Sequence, residues 1–123
     1  MAPVALVVDD DPVSRLVLGH MLRANEFVVD FAMDTVDALA RIASVPYDLV
    51  ISDFRLPSGT GIDVLGGVED SANPAPFVLI TGILEYASLP PELTARLADH
   101  LTKPVSSATL QSVLDRLFPP AGD

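Results

Sequence analysis

The stretch Val4-Ala5-Leu6-Val7-Val8-Asp9-Asp10-Asp11-Pro12 decides the fold. An apolar run is followed without a break by a run of aspartates and a proline. A half-exposed strand would alternate apolar and polar residues. A strand apolar on both faces belongs in the middle of a parallel sheet covered by helices. Asp11 can then cap a helix that carries Pro12 at its first position, where a missing N–H costs nothing. Val13, Leu16, Val17 and Met21 predict the apolar stripe of that helix, and Asn25 predicts its stop.

Outward from this stretch the same alternation repeats. Residues 27–32 read as a second strand, and Asp30 within it signals a sheet edge. A second helix is expected over 35–43, with Val36, Leu39, Ala40 and Ala43 on one side. A third strand over 49–52 ends at Asp53, and residues 54–60 form a turn-rich loop. Thr60 with Asp63 three residues later predicts a capping box for a third helix. Residues 69–76 read as a polar loop. A fourth strand over 77–80 ends at Thr81. A fifth over 100–102 ends at Lys103-Pro104, an X-Pro bond to which the cis form is open. Between these two strands Pro90 and Pro91 forbid a long helix, so a short one over 91–98 is expected. Ser106 caps a last helix carrying Leu110, Val113, Leu114 and Leu117, ended by Pro119 and Pro120. Five strands with interleaved helices make a doubly wound α/β fold, read as a single domain over 1–123. Right-handed crossovers bring the strand C-termini to one edge, where ligands bind in such sheets.

Composition agrees with one folded domain. The 123 residues, half of them hydrophobic, are enough for a packed core. Seven basic against seventeen acidic residues give a net charge of −10, which speaks against binding to nucleic acid or an anionic membrane surface. The absence of cysteine excludes a disulfide framework, thiol catalysis and a cysteine-based zinc site. No apolar run approaches the ~18 residues of a membrane span, and the N-terminus lacks a signal-peptide pattern. A cytoplasmic protein is expected.

The predicted strand ends carry the chemistry. Strand one delivers Asp9 and Asp10, strand three Asp53, strand four Thr81 and strand five Lys103. Singly, each has a bland explanation: a solvated acid, a turn starter, a surface lysine. Together, at the ends of four strands, they form a set. An all-oxygen acidic cluster suits a hard divalent cation such as Mg²⁺, which also relieves repulsion between the carboxylates. Lys103 is the only lysine among the seven basic residues. A compact ammonium is not interchangeable with a guanidinium at a tight phosphate site.

The sequence resembles the response-regulator receiver domain of two-component signalling over nearly the whole chain. The resemblance rests on Leu6-Val7-Val8-Asp9-Asp10-Asp11-Pro12, Asp48-Leu49-Val50-Ile51-Ser52-Asp53, Leu56-Pro57 with Gly59 and Gly61, Val78-Leu79-Ile80-Thr81-Gly82, and Lys103-Pro104. It implies the strand order 2-1-3-4-5. It implies that Asp53 accepts a phosphoryl group from the phosphohistidine of a histidine kinase or phosphotransfer protein. Asp9, Asp10, Asp53 and the backbone carbonyl of Arg55 would bind Mg²⁺. Lys103 would pair with Asp53 and then with the phosphoryl group, and Thr81 would hydrogen-bond that group after transfer. His100 falls at the switch position, often Tyr or Phe in the family. Such a domain is a signalling switch that catalyses its own aspartyl phosphorylation and dephosphorylation. It would act on a downstream protein, without direct contact to nucleic acid or membrane, and the face of the fourth helix, fifth strand and fifth helix is a candidate homodimer surface. Gly82 departs from the more usual Ala or Ser. Arg55 and Ile83 occupy positions that in the family govern water access, and a long Arg beside an apolar Ile implies slow loss of phosphate.

Two other readings stay open at this point. Asp9, Asp11 and Val13 satisfy the signature of a haloacid-dehalogenase-type phosphatase, with Thr81 and Lys103 as later members. That reading lacks a further acidic motif after the lysine, where only Asp115 and Asp123 remain, and leaves Asp53 idle. The other is a receiver-like binding module that is never phosphorylated, against which the full set of Asp10, Asp53, Thr81 and Lys103 argues.

Overall fold

The apolar run Val4–Val8 is strand β1, and in the computed structural model it is flanked on both sides by parallel strands. The structure describes residues 2–119, so Pro120 and Asp123 lie outside the described residues. The elements that follow β1 are α1 (Pro12–Ala24), β2 (Val28–Ala32), α2 (Thr35–Ser44) and β3 (Leu49–Asp53). A small antiparallel ribbon of β4 (Arg55–Leu56) and β5 (Gly59–Thr60) leads into α3 (Gly61–Glu69). Then come β6 (Phe77–Thr81), α4 (Ile83–Ala87), α5 (Pro91–Thr94), β7 (Asp99–Thr102) and α6 (Ser107–Leu117). The main sheet has five parallel strands in the order β2-β1-β3-β6-β7. Counting only these five, the order is the expected 2-1-3-4-5.

Alternate side chains of the sheet build two cores. Ala5, Val7, Ile51, Val78, Ile80 and Leu101 face Leu18 and Leu22 of α1 and Leu110, Val113 and Leu114 of α6. Leu6, Val8, Val50, Phe77 and Leu79 face Ala38 and Ile42 of α2 and Val64, Leu65 and Val68 of α3. Every residue of β3 and β6 is buried, as befits central strands, whereas β2 exposes Val28 at the edge.

The expected helix starts hold. The Asp11 side chain accepts the Val13 amide at 3.1 Å, and Thr60 and Asp63 form a reciprocal capping box on α3. Ser106 accepts the Thr109 amide, and Asn25 stands at the end of α1. The Lys103–Pro104 bond is cis.

Four expectations are corrected. Most of the apolar stripe predicted for α1 faces outward: Val13, Leu16 and Val17 are exposed, while Met21 is half-buried against the core and Leu18, Gly19 and Leu22 face the sheet. The same reversal occurs in α2, where Val36, Leu39, Ala40 and Ala43 are exposed and Thr35, Ala38 and Ile42 are buried. The loop over 54–60 contains the β4–β5 ribbon. The segment between β6 and β7 holds two short helices, α4 and α5, rather than one over 91–98. Pro90 and Pro91 explain the break, because Pro91 can only begin a helix.

Candidate functional site

Strand register assembles the site. Val8 of β1 pairs with Ser52 of β3, so Asp9 and Asp53, one residue further along each strand, become neighbours. Asp53 pairs with Ile80 of β6, which puts Thr81 just beyond it. Thr81 pairs with Thr102 of β7, and the Lys103 amide donates to the Thr81 carbonyl at 3.0 Å. Carboxylate oxygens of Asp9, Asp10 and Asp53 lie within 4.8 Å of one another. Asp9 and Asp53 are buried and Asp10 is exposed. Lys103 Nζ donates to Asp53 Oδ2 at 2.7 Å. Gly61 packs so closely against this corner that a Cβ there would lie 2.6 Å from the Asp53 carbonyl oxygen, so only glycine fits.

Burial pushes the Asp9 carboxyl above its ordinary range, and the negative charges of Asp53 and Asp10 add to the effect. The Asp11 amide, donating to Asp9 Oδ1 at 2.9 Å, and the Lys103 charge pull the other way without cancelling it. Burial alone would lower the Lys103 ammonium, but its hydrogen bond and attraction to Asp53, with Asp9 and Glu85 behind, raise it above its ordinary value. Lys103 is therefore a fixed positive charge. Three clustered carboxylates against one ammonium leave an excess of negative charge on hard oxygen donors, which fits a small divalent cation.

The other predicted residues are placed less directly. The Thr81 hydroxyl is buried and donates to Glu85 Oε1 at 2.8 Å. His100 stacks on Tyr86 with ring centroids 3.6 Å apart and an interplanar angle of 12°. Arg55 turns its guanidinium to Glu85, with Nε 2.7 Å from Oε2, while its amide lies 3.4 Å from Asp53 Oδ1. Ile83 opens α4 and is exposed. Asp11 spends its carboxylate on the Val13 amide and the Ser14 hydroxyl, which leaves the phosphatase reading without its second acid.

Sequence reading missed two residues. Arg15 donates from its guanidinium to the Asp9 carbonyl at 2.7 Å, tying α1 to the end of β1. Glu85 joins Thr81 and Arg55. Its signal was present, since a Glu three residues after a candidate N-cap, here Gly82, marks a helix start. A cleft lined by Asp9, Val17, Ile80, Lys103, Pro104 and Val105 opens beside the acidic cluster.

Fold and rim define a doubly wound domain built around a buried acidic corner with one fixed ammonium, and comparison with known proteins gives that class its family. The model of the response regulator receiver domain matches residues 5–115, so the chain belongs to that family. It is 33% identical over 113 residues to the response regulator protein PilR of Pseudomonas aeruginosa, covering 89% of this chain. It is also 33% identical over 112 residues to the transcriptional regulatory protein ZraR of Salmonella typhimurium. The chain spans about a quarter of the length of these curated relatives. Among solved structures it is similar to a CheY-like receiver domain from Methylobacillus flagellatus, with a TM-score of 0.86, 24% identity, and 95% of this chain and 99% of that one covered. It is also similar to the receiver domain of the sensor histidine kinase PA1611 from Pseudomonas aeruginosa, with a TM-score of 0.81, 28% identity, and 95% and 98% covered. That protein was solved with a magnesium ion coordinated in its active-site cleft.

Proposed function

We propose that this chain is the phosphoacceptor domain of a two-component pathway and that Asp53 receives the phosphoryl group. The observation that carries this reading is the Lys103 ammonium, 2.7 Å from Asp53, beside the cluster of Asp9, Asp10 and Asp53. The donor is a phosphohistidine on a histidine kinase or phosphotransfer protein. An Asp53 carboxylate oxygen attacks phosphorus, a P–O bond forms, and the P–N bond breaks with its electron pair leaving on the imidazole. Asp9, Asp10 and Asp53, with the Arg55 carbonyl, would hold Mg²⁺, which when bound neutralises phosphoryl oxygens. Lys103 stays charged through the reaction and supplies a second neutralising group.

The cleft beside the acids is flanked by exposed Val13 and Val17, with Leu16 on the same side of α1. These give the donor protein an apolar landing surface next to the reacting oxygen. After transfer the Thr81 hydroxyl turns to the phosphoryl group, and His100 and α4 respond as a population shift. The net charge keeps nucleic-acid contact out of this domain, so its output passes through protein contacts, to a further domain or a separate partner. No helix among the described residues is long and apolar enough to cross a membrane.

Beryllofluoride with Mg²⁺ tests the reading. The wild type should change its amide NMR spectrum and Asp53→Asn should not. A wild type that stays silent to beryllofluoride and to a phosphohistidine donor would establish an unphosphorylated binding module instead. Phosphate loss should be slow and should accelerate in Ile83→Glu and Arg55→Asn. An unchanged rate in both would remove the assigned role of these two side chains.

A further inference from the structure

Glu85 holds no role above, yet it touches three parts of the rim. Its Oε1 accepts the Thr81 hydroxyl at 2.8 Å and lies 3.4 Å from the Gly82 amide. Its Oε2 pairs with Arg55 Nε at 2.7 Å. Only 19% of its side chain is exposed, against 80% for Arg55. A hydroxyl has one proton to donate. The other acceptor at Thr81 is the Gly82 carbonyl at 3.1 Å, and the charged carboxylate is the stronger of the two. The proton that a phosphoryl group on Asp53 would attract is already committed to Glu85.

Resting on the reading of Asp53 as phosphoacceptor, we propose that Glu85 is a positioning residue that competes with the phosphoryl group for the Thr81 hydroxyl and so holds α4 in its unphosphorylated seat. The seat needs such a tie. Helix α4 has five residues and buries none of them, and Ile83 and Leu84 are 72% and 84% exposed. What fixes α4 is the set of Glu85 bonds together with the stack of Tyr86 on His100. When the Thr81 hydroxyl donates to a phosphoryl oxygen instead, one tie is lost, and the added negative charge repels the Glu85 carboxylate. The two states differ by which anion accepts the Thr81 hydrogen bond, so added charge at the rim shifts the population of α4.

A double-mutant cycle on beryllofluoride affinity in the presence of Mg²⁺ tests the competition. Glu85→Ala should tighten binding about tenfold, equivalent to about 1.4 kcal/mol, and the gain should fall to about twofold or less in a Thr81→Ala background. Glu85→Gln, which keeps an acceptor but loses the charge, should fall between. An equal gain in both backgrounds would mean that Glu85 acts through charge alone, and the competition would be overturned. Amide exchange without anion or metal tests the seat separately. The Tyr86 and Ser88 amides bond to the Gly82 and Leu84 carbonyls, and Glu85→Ala should speed their exchange several-fold. Unchanged exchange would overturn the seating role. A wild type indifferent to beryllofluoride overturns the phosphoacceptor reading and with it the competition, while the exchange rates still decide whether Glu85 seats α4.

Discussion

The region from β1 to α3 and the segment from Gly82 to Ala98 are held by different forces. In the first, β3 is buried along its whole length, and Leu6, Val7, Val8, Leu49, Val50 and Ile51 have no exposed surface. In the second, α4 and α5 bury no residue: Leu89, Leu93 and Leu97 only lean half-buried on the core, and the remaining links are polar or aromatic, Glu85 to Thr81, Tyr86 on His100, and Arg96 to Glu69 at 2.6 Å. The clustered acids therefore stand on a close-packed scaffold, which cannot shift by small amounts at low cost. Helix α4 beside them is tied by polar and aromatic contacts that one added charge can rearrange. Position and response are assigned to different parts of one small domain, divided at the end of β6.

The largest expected effect contrasts one buried and one lightly held aromatic residue. Phe77 is 2% exposed at the start of β6, and Phe77→Ala should destabilise the fold by about 3–5 kcal/mol in denaturant unfolding. Tyr86→Ala loses only a stack and should cost about 0.5–1.5 kcal/mol. Equal costs would break the comparison, because α4 would then belong to the cooperative core.

Asp9→Asn gives a smaller effect of opposite sign. Burial raises the Asp9 carboxyl above its ordinary value of 3.8, so just above that pH the folded chain keeps a proton that the unfolded chain has lost. Stability then falls as pH rises through this window, and at neutral pH the buried charge is a standing cost. Without metal, Asp9→Asn should stabilise the protein by up to about 2 kcal/mol at neutral pH. The gain should shrink on acidification and on addition of Mg²⁺ to the wild type. Thermal melts at two pH values, with and without Mg²⁺, check this. A variant less stable than the wild type in metal-free neutral buffer would show that the site carries no such strain.

The site was more legible in the sequence than the faces of the helices. Each residue of the acidic corner lies at the end of a strand, and strand ends are marked by an apolar run giving way to a polar residue, as at Val8-Asp9 and Ser52-Asp53. Caps are local chemistry, so Asp11 and Thr60 could be read from neighbours alone. The inward faces of α1 and α2 could not. The buried side of α1 includes Gly19, seated so close to Phe31 that a Cβ would lie 2.6 Å from its ring. A residue chosen for its small size adds nothing to a hydrophobic count. In α2 the inward face includes Thr35 and Ala38, weaker in the same count than Val36 and Leu39 outside. Leu39 also covers Gly67 of α3, a contact between helices that periodicity does not encode. Helix α4 left no stripe to read because it buries nothing.

The outward face of α1 sets the smallest expected change in stability and separates packing from recognition. Leu16 is 69% exposed and Leu22, on the opposite side, has no exposed surface. A stripe kept apolar without a core to join serves folding little, since an exposed leucine gains almost nothing from burial. Leu16→Gln should shift unfolding free energy by no more than about 0.5 kcal/mol. If the stripe receives the donor protein beside the cleft, the same variant should slow phosphotransfer from a phosphohistidine protein. Phosphorylation by acetyl phosphate, which needs no protein surface, should proceed at the wild-type rate. Paired rate measurements with the two donors decide it. Equal slowing with both would place the fault in the site itself, and no slowing with either would leave the stripe without a role in transfer. Only selective loss with the protein donor fits a helix whose inner face serves the fold and whose outer face serves the partner.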